Sequence, residues 1–219
     1  MIERIVRMWR QPLSHKLQYL NFRWGGLVMQ VAYRWRLRAC GRSSLVLRPL
    51  HWTPEHVSIG SNVLVWPGCR IEGVAVDGDG STQHIRIGDG VTMQQNCHIT
   101  AGSDLRIDAG TTILSEVMIT DMDHRYDRFG VSVIHQPIDI RTTHIGANCF
   151  IGAGAKVLAG TILGPHCVVG ANAVVRGHFP AGSVIAGNPA RIVKQYDSAA
   201  QAWRKPAVPQ NATEASSSR

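Results

Sequence analysis

The sequence predicts an all-β solenoid with a helical N-terminal extension and a disordered tail. Three observations lead to this prediction. Apolar residues follow a helical spacing of three to four through the first part of the chain, aliphatic residues recur every six positions through the middle, and the last residues are polar and of low complexity. We place the boundaries of the three segments at 1–55, 56–194 and 195–219.

The N-terminal extension is strongly basic. Residues 1–50 hold ten Lys/Arg and one acid, a net charge of +9; since the whole chain carries +8, the rest carries 8 − 9 = −1. Ser14 is placed to cap a helix whose apolar residues would cover the open end of the solenoid. These residues are Leu17, Leu20, Leu27, Val28 and Val31. The extension fits such a cap, a peripheral contact with anionic lipid, or nucleic acid. We favour the first two, which can coexist, and expect no nucleic-acid partner.

Composition points to the cytoplasm. The N-terminus lacks an apolar stretch followed by a small-residue cleavage site, so no signal peptide is expected. The longest apolar stretch there, WGGLVMQVAY, has ten residues and is too short to span a bilayer. The five cysteines are odd in number and form no CxxC pair, which favours a reducing compartment. We therefore expect a cytoplasmic protein that can lie peripherally at the inner membrane.

The middle of the chain repeats every six residues, a period that fits neither a helix nor a plain strand. It fits a solenoid of short strands joined by tight turns. Four positions after each aliphatic residue lies a second, mostly small residue, such as Cys69, Cys97 or Cys149. Gly and Asn stand at the second and fourth positions of many hexads, where turns with positive φ are expected.

Three hexads make one triangular coil of 18 residues. The complete coils are predicted at 59–76, 87–104, 107–124, 145–162 and 163–180. His124 closes the third coil, and a 20-residue excursion, 125–144, follows it. Long excursions from a compact scaffold are usually functional. The sequence therefore predicts an active-site loop over 121–144.

Residues 56–194 resemble a known family. The motifs are the hexads, DMDHRYD followed by HQP, IGANCFIGAGAKVLAGTILGPHCVVGANAVV, and the closing VIAGNPARIVK. Together they are similar to the hexapeptide-repeat acyltransferases, in particular the maltose/galactoside acetyltransferase-like O-acetyltransferases of bacterial polysaccharide synthesis. The resemblance implies a left-handed parallel β-helix, homotrimers, acetyl-CoA as acyl donor, no metal, and a histidine base in a cleft between subunits.

Site residues follow from the resemblance position by position. The base is His124. The pantetheine arm of CoA would meet the backbone at Ala153 and Ala171, and its 3′-phosphate and adenine end would meet Arg191 and Lys194. Relatives often carry a Thr-Lys pair where this chain has Arg176-Gly177, so Arg176 is a candidate replacement for the cation at the phosphates. Phe150 stands where relatives often have Trp.

The chemistry of the motif supports this reading. A sugar hydroxyl must lose its proton as it attacks a thioester, and a largely neutral imidazole can accept that proton. Neighbouring carboxylates could orient the imidazole or bind substrate; they are Asp121, Asp123 and Asp127. His98 occupies the same hexad position one coil earlier, and His144 ends the loop, so both are candidate substrate contacts. The hexad cysteines occupy small inward positions and are read as apolar fillers.

The sequence thus predicts a CoA-dependent O-acetyltransferase that acts on a saccharide, with a lipid-linked saccharide as one candidate acceptor. A close alternative acetylates the amine of a nucleotide-linked amino sugar. A zinc hydratase like the γ-class carbonic anhydrases is a weaker one, because the family's usual close histidine pair is absent. The last alternative is a scaffold protein without catalytic activity.

Overall fold

The computed structural model describes residues 12–76 and 84–205. Helix α1 (Leu13–Val28) begins this part of the chain and continues as a π-helical segment, Met29–Tyr33. Within the described residues, no helix is both long and apolar enough to cross a membrane. The basic residues 1–11, and residues 77–83 between the first two predicted coils, lie outside the described residues.

Short strands make up most of the remaining structure. In chain order they are β1 (Ala39–Cys40), β2 (Leu45–Val46), β3 (His51–Trp52), β4 (Val57–Ile59), β5 (Leu64–Val65), β6 (Arg70–Gly73), β7 (His84–Ile87), β8 (Thr92–Met93), β9 (His98–Ala101), β10 (Asp104–Ile107), β11 (Thr112–Ile113), β12 (Met118–Thr120), β13 (Met122–His124), β14 (Ile138–Ile140), β15 (His144–Ile145), β16 (Phe150–Ile151), β17 (Lys156–Val157), β18 (Ile162–Leu163), β19 (Val168–Val169), β20 (Val174–Val175), β21 (His178–Phe179), β22 (Ser183–Gly187), β23 (Ala190–Asp197) and β24 (Ala202–Arg204). Two 3₁₀ turns, Pro54–His56 and Val133–His135, separate some of them.

All of these strands except β13, β14, β23 and β24 pair in parallel in three sheets; six coils contribute one strand to each sheet, and a last partial turn contributes β21 and β22. Sheet A has the order β1-β4-β7-β10-β15-β18-β21, sheet B begins β2-β5-β8-β11-β16-β19-β22, and sheet C is β20-β17-β12-β9-β6-β3. Successive coils are in register, so inward aliphatic residues stack in columns. Ile59, Ile87, Ile107, Ile145 and Leu163 form the column of sheet A, each at most 3 % exposed. The predicted hexads therefore build one continuous core.

The corners explain the glycines and asparagines, although for two different reasons. Fourth-position residues, such as Asn148 (φ 55°) and Gly154 (φ 70°), adopt the predicted left-handed backbone. Second-position glycines do not. A Cβ on Gly152 would lie 2.6 Å from the backbone nitrogen of Ala171 in the next coil. Glycine is needed there because stacked coils approach closely, and not because of its φ.

The solenoid begins before the predicted boundary at 56. Strands β1, β2 and β3 already form a coil that pairs with the next one, as Cys40↔Ile59, Val46↔Val65 and Trp52↔Ile71 show. Only its first hexad, at 40–45, carries a second-position glycine, Gly41, whereas the hexads at 46–51 and 52–57 have none, so the pattern here was too weak for the coil to be predicted. We accordingly place the helical extension before Ala39.

Helix α1 packs on this first coil through a face other than the predicted one. Leu17, Leu20, Leu27 and Val31 are all more than half exposed. The contacts come instead from Phe22, whose ring lies edge-on to Trp66 with a centroid distance of 5.4 Å, and from Met29, which is 2 % exposed. Gly25 and Gly26 lie directly against Leu47 and Leu45. The predicted cover exists, but different residues provide it.

The C-terminal segment is more ordered than its polar composition suggests. Strands β23 and β24 extend sheet B in antiparallel fashion, with Tyr196 opposite Trp203 and Gln195 opposite Arg204. The two aromatic rings pack edge to face with centroids 5.3 Å apart, and Arg204 pairs with Asp197 at 3.2 Å. The predicted disordered tail from 195 thus overlaps this hairpin; residues 206–219 lie outside the described part of the chain.

Candidate active site

The predicted loop leaves the solenoid where sheet C meets sheet A. Strand β12 continues through Asp121 into β13, which pairs in antiparallel fashion with β14, and His124 lies opposite Ile138. The loop therefore starts and ends as a two-stranded hairpin, and its turn spans residues 125–137. His124 is exposed at the last position of β13, where the paired segment gives way to the turn.

Asp121 anchors the hairpin and is fully buried. One carboxylate oxygen accepts a hydrogen bond from the backbone N–H of Gly102 at 2.7 Å; the other accepts from the N–H and the hydroxyl of Ser103, both at 2.9 Å. The hydroxyl of Thr143 donates to the carbonyl of Thr120 at 2.9 Å and closes the other end. Asp121 was predicted to contact substrate or to orient His124. Its carboxylate is instead buried and accepts three hydrogen bonds, so its role in the structure is to anchor the hairpin.

The hairpin and the last complete coil enclose a depression of about 440 Å³. Three of the predicted residues, Asp123, His124 and Asp127, line it together, as does Arg176. The other lining residues are Arg125, Tyr126, Asp139 and Arg141. The loop motif and the final hexads, which are far apart in sequence, thus meet around the histidine.

Charges in this depression are paired with one another. Arg176 donates to Asp123 at 2.7 Å, and Asp139 accepts from Arg125 at 2.6 Å and lies 3.4 Å from Arg141. The hydrogen bond from Arg125 lowers the pKa of Asp139. Among residues 12–76 and 84–205, no side chain forms a hydrogen bond or ion pair with the His124 ring. Its nitrogens are therefore accessible to a ligand in the depression.

His98 and His144 lie outside this depression. His98 is level with Arg70 and Met118 on sheet C, so its counterpart in the next coil is Met118 and not His124. Burial lowers its pKa, the charge of Arg70 lowers it further, and its Nε2 has no hydrogen-bond partner among the described residues. His144 lies on sheet A, and its Nε2 is 2.7 Å from a carboxylate oxygen of Asp108. Neither is brought beside His124 within one chain.

The residues assigned to CoA lie along other edges. Ala153 and Ala171 belong to stacked corners between sheets B and C, where the N–H of Asn172 donates to the carbonyl of Ala153 at 2.9 Å. Arg191 and Lys194 are exposed on β23, opposite Ala186 and Val184. Arg176, assigned as a phosphate cation, instead pairs with Asp123 and lies beside the histidine.

Sequence analysis missed four lining residues: Arg125, Tyr126, Asp139 and Arg141. Asp139 and Arg141 are more than a dozen positions from His124, and only the hairpin brings them close. The alternating segment IDIR at 138–141 is a signal of a strand that could have revealed the second arm of this hairpin.

The hexad cysteines are core fillers, as their positions indicate. Cys69, Cys97, Cys149 and Cys167 are at most 2 % exposed, and each Sγ lies 3.1–3.3 Å from a backbone carbonyl of the following coil. Within the described residues, no group of three or more His, Cys, Asp or Glu side chains is arranged to hold a metal ion.

Comparison with known proteins finds one family model and several similar proteins. Residues 142–177 match the family model described as bacterial transferase hexapeptide (six repeats). The chain is 39 % identical over 124 residues to the putative lipopolysaccharide biosynthesis O-acetyl transferase WbbJ of Escherichia coli (strain K12), a match that covers 53 % of this chain and 63 % of WbbJ. It therefore spans less than two thirds of that relative. Nodulation protein L of Rhizobium leguminosarum bv. viciae is 34 % identical over 173 residues, covering 78 % of this chain and 72 % of that protein.

A solved structure shares the fold. AntD, an N-acyltransferase from Bacillus cereus in complex with dTDP and 3-hydroxybutyryl-CoA, aligns with a TM-score of 0.62 at 16 % identity, over 74 % of this chain and 85 % of AntD. At this identity the likeness concerns the fold, the stacked coils described above.

Proposed function

The chain belongs to the family of bacterial hexapeptide-repeat transferases, and on this premise we propose that it transfers an acetyl group from acetyl-CoA to a hydroxyl of a saccharide. The observation that carries the proposal is His124, an exposed imidazole with no hydrogen-bond or ion-pair partner among the described residues, in a depression lined by charged side chains. We infer that the β-helix is left-handed because the family's β-helices are left-handed. Five unpaired cysteines suit the reducing cytoplasm, where we place the reaction.

The chemistry requires one base and a well-placed donor. His124 would accept the proton of the acceptor hydroxyl as that oxygen attacks the acetyl carbon of the thioester. The new C–O bond forms, the C–S bond breaks, and the proton leaves with the departing thiol. Asp123, held by Arg176, would fix the backbone on which His124 lies, and Asp127 has its carboxylate in the depression for hydrogen bonds to a sugar. This is a direct transfer, since the four hexad cysteines are buried and Cys40, which is partly exposed, does not line the depression.

The test is a donor and acceptor assay on the purified chain. Free thiol released from acetyl-CoA is measured with saccharides that offer only hydroxyls and with nucleotide-linked amino sugars. We expect release that depends on a hydroxyl acceptor and a product whose acetyl group is lost in mild alkali, as esters are. An alkali-stable product formed only from amino sugars would establish N-acetylation instead. No CoA binding by calorimetry and no thiol release would refute the proposal.

Assembly is the second part of the proposal. His124 emerges where sheet C meets sheet A, whereas Ala153 and Ala171 lie where sheet B meets sheet C. These are different edges of one prism, so a donor along one edge reaches the histidine only if a second copy supplies the other edge. We propose a homotrimer, because three such head-to-tail contacts close a ring.

A mixing experiment tests this assembly. His124→Ala lacks the base, and Ala153→Trp places a bulky side chain on the proposed donor edge, so each variant alone is expected to be inactive. When both are co-expressed, random assortment leaves about a quarter of the interfacial sites intact, and activity is expected to return to about that level. Light scattering should give the mass of three chains. No recovery in mixed assemblies, or a monomeric mass, would contradict the shared site.

A further inference from the structure

Helix α1 leaves a continuous apolar row on its outer side. We call this row the α1 stripe; its members recur at intervals of three or four residues and are between 51 % and 84 % exposed. They are Leu13, Leu17, Leu20, Trp24, Leu27, Val31 and Trp35. Such a spacing places them along one side of a helix. Contiguous exposed apolar surface of this kind marks an interaction site.

The orientation of the helix is set by its other side. Phe22 packs on Trp66, Gly25 lies against Leu47, and Met29 is buried in the core. The helix approaches the first coil closely because two glycines stand at the contact, and this packing keeps the α1 stripe turned away from the solenoid. Residues 12–76 and 84–205 therefore leave the stripe uncovered.

The positive charge around the stripe indicates the kind of surface that the stripe would contact. From residue 12 to residue 54 the chain has no Asp or Glu, and it carries seven basic residues. These are Lys16, Arg23, Arg34, Arg36, Arg38, Arg42 and Arg48. Every arginine among them is exposed. A second copy of this helix would bring like charges together, and the one ion pair recorded for these residues in the described part of the chain is that of Arg36 with Glu55, at 3.8 Å. An anionic bilayer offers both an apolar layer and negative headgroups.

We propose that the α1 stripe lies in the interface of an anionic membrane, with the helix parallel to its surface. The leucines would enter the acyl boundary, Trp24 and Trp35 would lie at headgroup depth, and the arginines would meet the lipid phosphates. The indole nitrogen of Trp35 already donates to the carbonyl of Val31 at 3.0 Å, so its polar atom stays satisfied when the ring enters the interface. The proposal is independent of acetyl transfer; if both hold, the site acts next to lipid-linked acceptors.

The experiment is co-sedimentation of the full chain with vesicles. Wild type is compared with a stripe variant, Leu17→Ser/Leu20→Ser/Leu27→Ser, and with a matched control, Leu50→Ser/Ile134→Ser/Val193→Ser, which removes three exposed aliphatic side chains elsewhere. Because all six side chains are exposed, neither variant should unfold; thermal unfolding checks this. Vesicles are pure phosphatidylcholine or a mixture rich in phosphatidylglycerol, at low and high salt.

We expect wild type and the matched control to bind the anionic vesicles at least about tenfold more tightly than the neutral ones, with weaker binding at high salt. The stripe variant should lose about tenfold or more of that binding. Equal binding by wild type and stripe variant, or no preference for anionic lipid, would overturn the proposal. A further pair of results would also overturn it: wild type does not bind vesicles, and the stripe variant folds but has a lower assembly mass than wild type. The stripe would then be a contact between copies of the chain.

Discussion

Replacement of His124 by alanine is expected to lower turnover by roughly 10²–10⁴-fold, the usual contribution of a general base. CoA affinity should stay near the wild-type value, because the residues proposed to bind CoA lie on another edge of the prism. The measurement is the rate of thiol release at saturating acetyl-CoA, with calorimetry for CoA binding.

The control for this variant is His166→Asn. His166 is exposed at a corner between sheets A and B with a φ of 58°, and Asn148 occupies the same corner one coil earlier with a φ of 55°. Asparagine therefore fits that backbone, and the control removes an imidazole without straining the fold. Its turnover should be unchanged. If His124→Ala kept more than about a tenth of the activity, another group would have to be the base.

Replacement of Asp121 by alanine is expected to destabilise the fold by about 3 kcal/mol. The carboxylate accepts three hydrogen bonds at 2.7–2.9 Å in a fully buried position. Without it, two backbone N–H groups and one hydroxyl lose their acceptor where water cannot easily replace it. Asp121→Asn, which keeps one acceptor oxygen, should lie between wild type and alanine. Denaturant unfolding measures the change.

Asp123→Ala is the matched comparison, since it removes a carboxylate two positions away. Asp123 has a side chain 38 % exposed and one ion pair, with Arg176. Ion pairs at such exposure contribute about 0.2–1 kcal/mol, so the loss should be small. Equal destabilisation by the two substitutions would show that burial of Asp121 does not set its contribution.

Several features followed from the sequence alone. The hexads predicted stacked coils, because a six-residue period with paired large and small inward residues fits no simpler structure. Fourth-position Asn and Gly were correctly assigned positive φ, and the four hexad cysteines were correctly placed in the core. The interruption after His124 located the loop, since an excursion from a regular repeat is visible without any structure.

Local pattern was insufficient where partners are distant in the chain. The first coil, at 39–52, has one glycine-bearing hexad, with Gly41, and its strands are defined by pairing with the coil that follows. Likewise, aromatic packing between Tyr196 and Trp203 orders a C-terminal segment whose polar composition suggested disorder. Propensity and composition report only on neighbours in sequence, whereas these elements depend on long-range pairing.

The site divides in the same way. The sequence by itself located the candidate residues, a histidine among carboxylates at the start of a loop. Only the tertiary structure decided which carboxylate does what: Asp121 points inward and anchors, whereas Asp123 points outward and pairs with Arg176. Residues two positions apart on one regular strand would share a face; these two carboxylates face differently because the chain bends at Asp121, between β12 and β13. Helix α1 is a second example. Its helical period was predicted from the sequence, but the face that packs on the solenoid is the one that carries Gly25, which lies against Leu47.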